Sequence, residues 1–332
     1  MKYWMIIAGM VLSLCADAQE MPLVAKKKVL KLMGSRFEIT AVAEREQQAW
    51  DAINAGIQEI QSIEKIISSW DENSQTSAIN RMAGIRPVKV DKALFDLIYR
   101  AKKVSALTGG AFDISYASMD KIWHFDGSMK AMPAPEIVEQ ARAHINWQNI
   151  ILDPDHGTVF LREKGMKIGF GAIGKGFAAN RASARMKKMP GVRGGVVNAS
   201  GDLITWGESP QKEGWIISIT NPKDKQVALG WLAVDDMAVV TSGDYERFVR
   251  FDGKRYAHII DPRTGYPTTG VKSVTVVCPD AELADALATS VFVLGRKDGL
   301  ALINRLKNIE CLIVTDDDEI LTSDHLKLNF FQ

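Results

Sequence analysis

The chain has 332 residues, of which 46% are hydrophobic and 24% are charged, and its formal net charge at pH 7 is +1. This balance gives no indication of a nucleic-acid-binding surface or of a surface that adheres to anionic membranes. Three cysteines do not make a disulfide framework. The hydrophobic content is ample for a sizeable core, in one large domain or in two.

The first 18 residues have the pattern of an export signal. Lys2 supplies a positive charge, residues 4 to 14 form an apolar run too short to span a bilayer, and residues 16 to 18 (ADA) offer a cleavage site. We therefore expect a signal peptide at 1–18, a linker at 19–31, a domain at 32–332 and export to the periplasm. A membrane lipid anchor on Cys15 is the alternative, although Leu14 stands where the lipoprotein peptidase prefers a small residue.

Hydrophobic periodicity and turn signals predict the elements of the domain. In the first half, these are a strand at 36–42, a helix at 44–69, a loop at 71–87, a helix at 92–107, a helix near 136–144, and strands at 149–152, 159–161 and 166–170. In the second half, they are a helix at 174–189, a strand at 195–198, mostly strands from 215 to 260, a strand at 271–277, helices at 281–293 and 297–306, and strands around 312 and 320. Blocks of strands with interspersed helices favour an α+β fold, a single large domain of mixed or antiparallel sheets with packed helices.

A glycine-rich segment at 169–176 (GFGAIGKG) matches two nucleotide-binding patterns only in part. The Walker A pattern requires Ser or Thr where Gly176 stands. The dinucleotide pattern requires an acid at the end of the next strand, where Asn198 stands. Glycines before a helix N-terminus still allow close approach to a phosphate, although a tight strand-to-helix turn is the structural alternative.

The most informative segment is residues 257–267 (AHIIDPRTGYP), in which an apolar run carrying His258 enters a turn marked by Asp-Pro and Gly-x-Pro. Residues 241–247 (TSGDYER) precede it and residues 284–289 (ADALAT) follow it. Two further segments lie earlier in the chain, at residues 108–113 (TGGAFD) and 198–202 (NASGD). Over roughly residues 30 to 315, the chain resembles the ApbE family, the FAD:protein FMN transferases.

The resemblance implies Mg²⁺-dependent transfer of the FMN moiety of FAD to a Thr or Ser hydroxyl of an acceptor protein, with release of AMP. Subunits of membrane ion-pumping redox complexes are the acceptors it suggests, and no nucleic acid is involved. Many members carry Asp where this chain has Gly169, which puts one flavin contact in question. The residues that the resemblance assigns to the flavin substrate are Met33, Trp70, Ala111, Phe112, Asp113, Gly169, Lys175, His258 and Ile259. On sequence alone, Met33 and Trp70 fit a hydrophobic core as well.

Asp285 and Thr289 are four residues apart in a segment of strong helix formers, so both side chains lie on one helix face. An ordinary first helical turn, with Asp near the dipole and Thr bonded to a main-chain carbonyl, is the alternative. The resemblance assigns magnesium ligands to both residues and to the main-chain oxygen of Ala172. We expect the Asp285 carboxylate to face solvent.

His258 is the candidate general base, because histidine changes its charge near neutral pH. Asp113 is the next candidate. Lys175 and Arg263 are expected to add positive charge beside the diphosphate. Two other functions stay open: an exported FAD pyrophosphatase that uses water as the acceptor, and an exported flavin-binding protein without catalysis.

Overall fold

The computed structural model describes residues 22–211, 214–224, 226–244 and 248–330. The predicted signal peptide, including Cys15, lies outside these ranges. The helices are α1 (Glu46–Ile67), α2 (Gln75–Arg81), α3 (Lys92–Leu107), α4 (Pro135–Ala141), α5 (Gly174–Met186) and α6 (Ala281–Ile303). The strands are β1 (Val24–Leu32), β2 (Ser35–Ala43), β3 (Val88–Lys89), β4 (Ile150–Asp153), β5 (Thr158–Leu161), β6 (Val192–Ala199), β7 (Asp202–Gly207), β8 (Trp215–Thr220), β9 (Ala228–Val234), β10 (Ala238–Gly243), β11 (Phe248–Phe251), β12 (Lys254–Ala257), β13 (Val271–Cys278), β14 (Glu310–Thr315), β15 (Ile320–Thr322) and β16 (Asn329–Phe330).

The largest sheet in the described part of the chain has the strand order β1-β2-β6-β7-β10-β13-β14-β15. Its neighbouring strands are antiparallel. Smaller antiparallel sheets have the orders β16-β9-β8, β3-β5-β4 and β11-β12. The α+β prediction, a single domain of largely antiparallel sheets with packed helices, is confirmed.

The large sheet is covered on both faces because its strands bury alternate residues on opposite sides. Phe37, Ile39 and Ala41 of β2 lie in the main core, which α1, α5 and α6 cover. Val42 of the same strand belongs to a second core with Trp215 of β8, where the β16-β9-β8 sheet packs. The helix layer therefore lies on one face only, and the cleft described below opens beside it.

The predicted long helix is confirmed as α1, whose apolar positions recur every three or four residues. Its buried residues include Ile53, Ile57, Ile60, Ile63 and Ile67. The two helices predicted at 281–293 and 297–306 are both present within α6, on either side of a kink at Gly295, where φ is 77° and the main chain is not helical.

The structure corrects three predicted segments. Residues 24 to 31, expected to be linker, belong to β1, an edge strand on which lysines are tolerated because one side has no neighbour. The predicted loop at 71–87 contains α2, which Ser74 caps by accepting a hydrogen bond from Ser77 N at 3.0 Å. Residues 166–170 do not form a strand, and side chains bond their main-chain groups instead. The Asn80 amide accepts from Ile168 N at 2.8 Å and donates to Ile168 O at 3.0 Å, and the Ser118 hydroxyl does the same for Lys167 N at 2.8 Å and Lys167 O at 2.9 Å.

Candidate active site

A cleft of about 1070 Å³ opens between the β1–β2 turn, the N-terminus of α5, the start of α6 and the segment after β12. This volume lies at the upper end of the roughly 300–1,000 Å³ typical of cofactor sites, so a dinucleotide-sized ligand suits it. The cleft brings together every predicted flavin, metal and base residue: Met33, Trp70, Ala111, Phe112, Asp113, Gly169, Ala172, Lys175, His258, Ile259, Asp285 and Thr289. A second depression of about 700 Å³, beside α4, contains none of them.

Asp285 forms the floor of the cleft and does not face solvent, which corrects the expectation above. Its residue surface is 4% exposed, and Oδ2 accepts a hydrogen bond from Gly176 N at 3.0 Å. Helix α5 begins without a side-chain cap, so the Asp285 carboxylate satisfies one of its first N–H groups from a neighbouring helix. A Cβ at Gly176 would lie 2.1 Å from Ala281 O. Gly176, which stands where the Walker A pattern requires Ser or Thr, therefore allows α5 to approach α6 closely.

Two buried carboxylates share one lysine at this end of the cleft. The Lys175 ammonium pairs with Asp202, which is 2% exposed. Burial and, after it, the negative charge of Asp202 raise the pKa of Asp285 to about 8, and Lys175 offsets only part of this. Burial also raises the pKa of Asp202, against the opposing effect of Lys175. The pair thus carries more negative charge than its lysine neutralises when both carboxylates are ionised.

Thr289 lies one helical turn after Asp285 and also lines the cleft. Its hydroxyl is 3.4 Å from the Ser242 hydroxyl of β10. The cap of α6 is Asp280, which accepts from Leu283 N at 2.8 Å. Asp285 therefore does not act as the helix cap, and the i, i+4 spacing places both oxygens toward the cleft.

The oxygen donors fit a hard divalent cation. Asp285 supplies a carboxylate, Thr289 a hydroxyl and Ala172 a main-chain carbonyl, and all three residues line one cleft. A cation beside Asp285 would also compensate a carboxylate whose ionised form burial disfavours. Among the described residues, no three His, Cys, Asp or Glu side chains form a metal-binding cluster.

His258 directly follows β12 and is half-buried in the cleft wall. The turn after it is held by main-chain hydrogen bonds from Asp261 N to Tyr266 O at 2.9 Å and from Gly265 N to Asp261 O at 2.8 Å. Thr268 N also donates to Ile259 O at 2.9 Å. These bonds fix the main chain after His258 and so help to set the position of its imidazole in the cleft wall.

Arg263 does not line the cleft, contrary to the role expected for it. Its guanidinium donates to the Asp261 carboxylate, with Nε 2.9 Å from Oδ1 and Nη2 2.7 Å from Oδ2. The bidentate pair holds the charge of Arg263 within the turn. Of the two predicted cations, only Lys175 is a cleft-lining residue.

Asp113 lines the cleft, but hydrogen bonds engage both of its carboxylate oxygens. Oδ1 accepts from Ser115 N at 2.7 Å and Ser115 Oγ at 2.6 Å, and Oδ2 accepts from Trp147 N at 2.9 Å. Burial raises the pKa of Asp113 against these bonds. The bonds fix the segment that presents Ala111 and Phe112, which makes Asp113 a weaker candidate base than His258.

The mouth of the cleft carries an exposed aromatic side chain. Trp70 is 84% exposed, and the Lys121 ammonium lies 5.3 Å from its ring centroid. The core interpretation is therefore wrong for Trp70. Met33 occupies the β1–β2 turn with a φ of 48° and packs against the core in part. Gly169 N donates to Ile114 O at 3.0 Å, and a Cβ at Gly169 would lie 3.0 Å from the Ala117 side chain.

Asp202 and Ser242 also line the cleft, although neither was among the predicted site residues. Asp202 closes the turn of the NASGD segment, and Ser242 lies in the TSGDYER segment. Both segments are among those that carry the family resemblance, so their polar residues could have been predicted as site residues. Strand β7 and strand β10 are neighbours in the sheet, which brings these two residues to the same side of Asp285 and Thr289.

Comparisons with known proteins relate the chain to one family. Residues 33–313 match the model of the ApbE family. The chain is 34% identical over 273 residues to an FAD:protein FMN transferase of Klebsiella pneumoniae (strain 342), which covers 82% of this chain and 84% of that protein. It is 32% identical over 290 residues to an FAD:protein FMN transferase of Treponema pallidum (strain Nichols), with coverage of 82% and 80%.

Solved structures with the same fold include the ApbE protein of Thermotoga maritima, with a TM-score of 0.80, 31% identity, and coverage of 91% of this chain and 97% of that one. The apo form of the flavinyl transferase ApbE of Pseudomonas stutzeri has a TM-score of 0.79 at 25% identity, with coverage of 91% and 95%. Family match, relatives and fold extend over most of the chain. The chain belongs to the ApbE family.

Proposed function

We propose that this protein is an FAD:protein FMN transferase, which moves the FMN moiety of FAD to a Thr or Ser hydroxyl of an acceptor protein and releases AMP. The observation that carries the proposal is the convergence of His258, Lys175, Asp285 and Thr289 in one cleft large enough for a dinucleotide. The names of the Klebsiella and Treponema relatives support the same activity.

We propose Mg²⁺ as the cofactor, held by Asp285, Thr289 and the main-chain oxygen of Ala172. When bound, the ion neutralises charge on the diphosphate and so favours departure of AMP. Lys175 adds a positive charge at the same end of the cleft. Asp202 orients that ammonium through their ion pair.

In the proposed reaction, the acceptor hydroxyl oxygen forms a bond to the phosphorus of the FMN moiety. The bond from this phosphorus to the bridging oxygen breaks, and AMP leaves with that oxygen. The hydroxyl proton passes to a ring nitrogen of His258, which acts as the general base. Met33, Trp70, Phe112 and Ile259 supply apolar and aromatic surface for the flavin.

Two other functions use the same cleft. An FAD pyrophosphatase would pass the same phosphorus to water and give free FMN and AMP. A flavin-binding protein without catalysis would retain FAD unchanged. Such a binding protein has no need of oxygen donors for a cation at the cleft floor, and the Asp285–Thr289 pair therefore favours an enzyme.

We also propose that the protein is exported to the periplasm, on the evidence of residues 1–18, with a lipid anchor on Cys15 as the alternative. Within the described ranges, no helix is long and apolar enough to cross a membrane. Acceptors on the outer face of the cytoplasmic membrane, such as subunits of ion-pumping redox complexes, fit this location.

The test is incubation of the protein with FAD, Mg²⁺ and an acceptor-domain fragment, followed by intact-mass measurement and quantification of AMP. We expect the acceptor to gain the mass of covalent FMN and AMP to form in equal amount. Free FMN and AMP beside an unmodified acceptor would identify the pyrophosphatase. Unchanged FAD would identify the binding protein.

A further inference from the structure

Phe125 contacts the imidazole of His258 edge to face. The two ring centroids lie 6.4 Å apart, and the ring planes meet at 78°. This is the T-shaped arrangement that aromatic pairs prefer. Both residues are half-buried, but only His258 is among the described residues that line the cleft. The phenyl ring therefore contacts a cleft-lining imidazole without itself lining the cleft.

The segment that carries Phe125 is hydrogen-bonded to, and packs against, the turn that follows His258. Trp123 Nε1 donates a hydrogen bond to Gly265 O at 2.9 Å. The Trp123 ring centroid lies 5.9 Å from that of Tyr266, and Trp123 is buried beside Ile260. Because both partners of the Phe125–His258 contact are held to the same turn, their relative position is fixed by a packed cluster.

Local hydrogen bonds also shape the chain on either side of Phe125. His124 N donates to Met129 Sδ at 3.1 Å, and Asp126 Oδ1 accepts from Ser128 N at 2.9 Å. These bonds close a tight turn directly after Phe125. The phenyl ring is thus presented by a short, self-bonded loop, so the backbone beneath it is constrained without regular secondary structure.

We propose that Phe125 is a positioning residue for His258: its ring fixes the orientation in which the imidazole accepts the proton of the acceptor hydroxyl. The proposal rests on the proposed role of His258 as the general base. A base must hold its nitrogen within hydrogen-bond reach of the proton, and a displacement of about 1 Å can cost on the order of 10² in rate. An apolar ring limits rotation of the imidazole without competing for its nitrogens.

The kinetic test is Phe125→Leu, which removes the ring but keeps an apolar side chain. We expect kcat for FMN transfer to fall about tenfold, a part of the roughly 10²–10⁴ that a positioned base contributes, with KM for FAD little changed. Phe125→Tyr keeps the ring and should restore most of the rate. Phe160→Leu in β5, half-buried and outside the cleft, is the matched control and should leave kcat unchanged.

A double variant separates positioning from a general loss of structure. In a His258→Ala background, Phe125→Leu should have no further effect on the residual rate, because the group it orients is absent. A loss of structure would lower the rate by the same factor in both backgrounds. That result, or an increase in KM alone, would overturn the proposal.

Side-chain NMR tests the contact without turnover. The ring C–H signals of His258, identified by their absence in His258→Gln, should shift in Phe125→Leu while those of His144 and His156 stay in place. Coincident His258 signals in the wild type and Phe125→Leu would overturn the proposal even in an active enzyme. A wild-type protein that transfers no FMN contradicts the proposed function alone, since the histidine signals still decide the contact.

Discussion

His258 directly follows β12, and the hydrogen-bonded turn that comes after it fixes the main chain. No other histidine lines the cleft among the described residues. Asp113, the other predicted base, has both oxygens engaged by Ser115 and Trp147. His258 is therefore the side chain that we propose as the general base.

His258→Ala should lower kcat for FMN transfer by at least about 10², the loss typical of a positioned general base. FAD should still bind, because the other cleft residues are retained. A time course of acceptor mass measures the rate, and equilibrium dialysis measures FAD binding. His156→Ala is the control, since His156 is exposed, lies outside the cleft and pairs with Asp153 at 2.7 Å. Turnover near the wild-type level in His258→Ala would show that the base lies elsewhere.

Asp285→Asn should abolish Mg²⁺-dependent transfer, because a neutral amide is a far weaker ligand for the cation than a carboxylate. Asn is preferred to Ala, since its side-chain oxygen can still accept from Gly176 N, and leaving that buried donor unsatisfied would cost about 1–3 kcal/mol. The measurement is transfer rate against Mg²⁺ concentration, with the melting temperature as a check on folding. An unchanged curve would remove the metal site from the proposed function.

Two further variants serve as comparisons for Asp285→Asn, one at the other side-chain ligand and one at an acid outside the cleft. Thr289→Val keeps the side-chain shape and removes the hydroxyl, so we expect a rightward shift of the Mg²⁺ curve that is smaller than the effect of Asp285→Asn. Asp298→Asn changes an exposed acid of the same helix that does not line the cleft. It should leave the curve unchanged.

The β6–β7 hairpin shows how an element accommodates an unfavourable residue. Its two turn residues, Ser200 and Gly201, have φ values of 59° and 103°. The side chain of Asn198 supports the turn, with Oδ1 accepting from Gly201 N at 2.8 Å. The turn is tight because Ala199 and Asp202, on either side of it, are paired in the sheet, and this pairing positions Asp202 beside Lys175. The β11–β12 hairpin uses Asp252 and Gly253 at the same positions, a pair that such turns prefer.

Ser200→Gly should raise the free energy of unfolding by about 0.5–1 kcal/mol, because relief of the left-handed strain exceeds the added entropy of the unfolded chain. Urea unfolding should show a higher midpoint with an unchanged slope. Ser200→Ala keeps the Cβ and should bring no gain. A midpoint for Ser200→Gly at or below that of Ser200→Ala would contradict the strain argument.

At the scale of the whole molecule, strands β13 and β14 of the large sheet each carry a cysteine that is closed to solvent. Cys278 of β13 and Cys311 of β14 are fully buried, and burial raises the pKa of each thiol to about 12. The reactive form of cysteine is the thiolate. A pKa raised far above 8 leaves both thiols neutral at that pH.

We therefore expect neither thiol to react with a disulfide reagent at pH 8 until the sheet unfolds, whereas both should react at once in denaturing urea. Absorbance of the released thiolate measures the extent of reaction. A Cys15→Ser background removes the remaining cysteine of the chain. Rapid labelling of either thiol without denaturant would show that β13 or β14 opens locally.

Local pattern predicted the elements whose residues repeat along one face. Helices α1 and α3 and strand β2 were placed to within a few residues because burial of one face imposes a period of 3.6 or 2. Strand β1 was missed because its lysines lie on a sheet edge. Residues 166–170 have the apolar alternation of a strand, yet the side chains of Asn80 and Ser118 bond their main-chain groups where a neighbouring strand would.

The sequence by itself determined the family, the α+β class and the residue types that meet in the cleft, because ordered motifs and helical spacing are local properties of the chain. Only the tertiary structure decided what those residues contact. It buried Asp285 against Gly176, paired Lys175 with Asp202, confined Arg263 to Asp261 and placed Phe125 on His258. These contacts join residues from different elements, and their burial and charge depend on which elements the folded chain brings side by side.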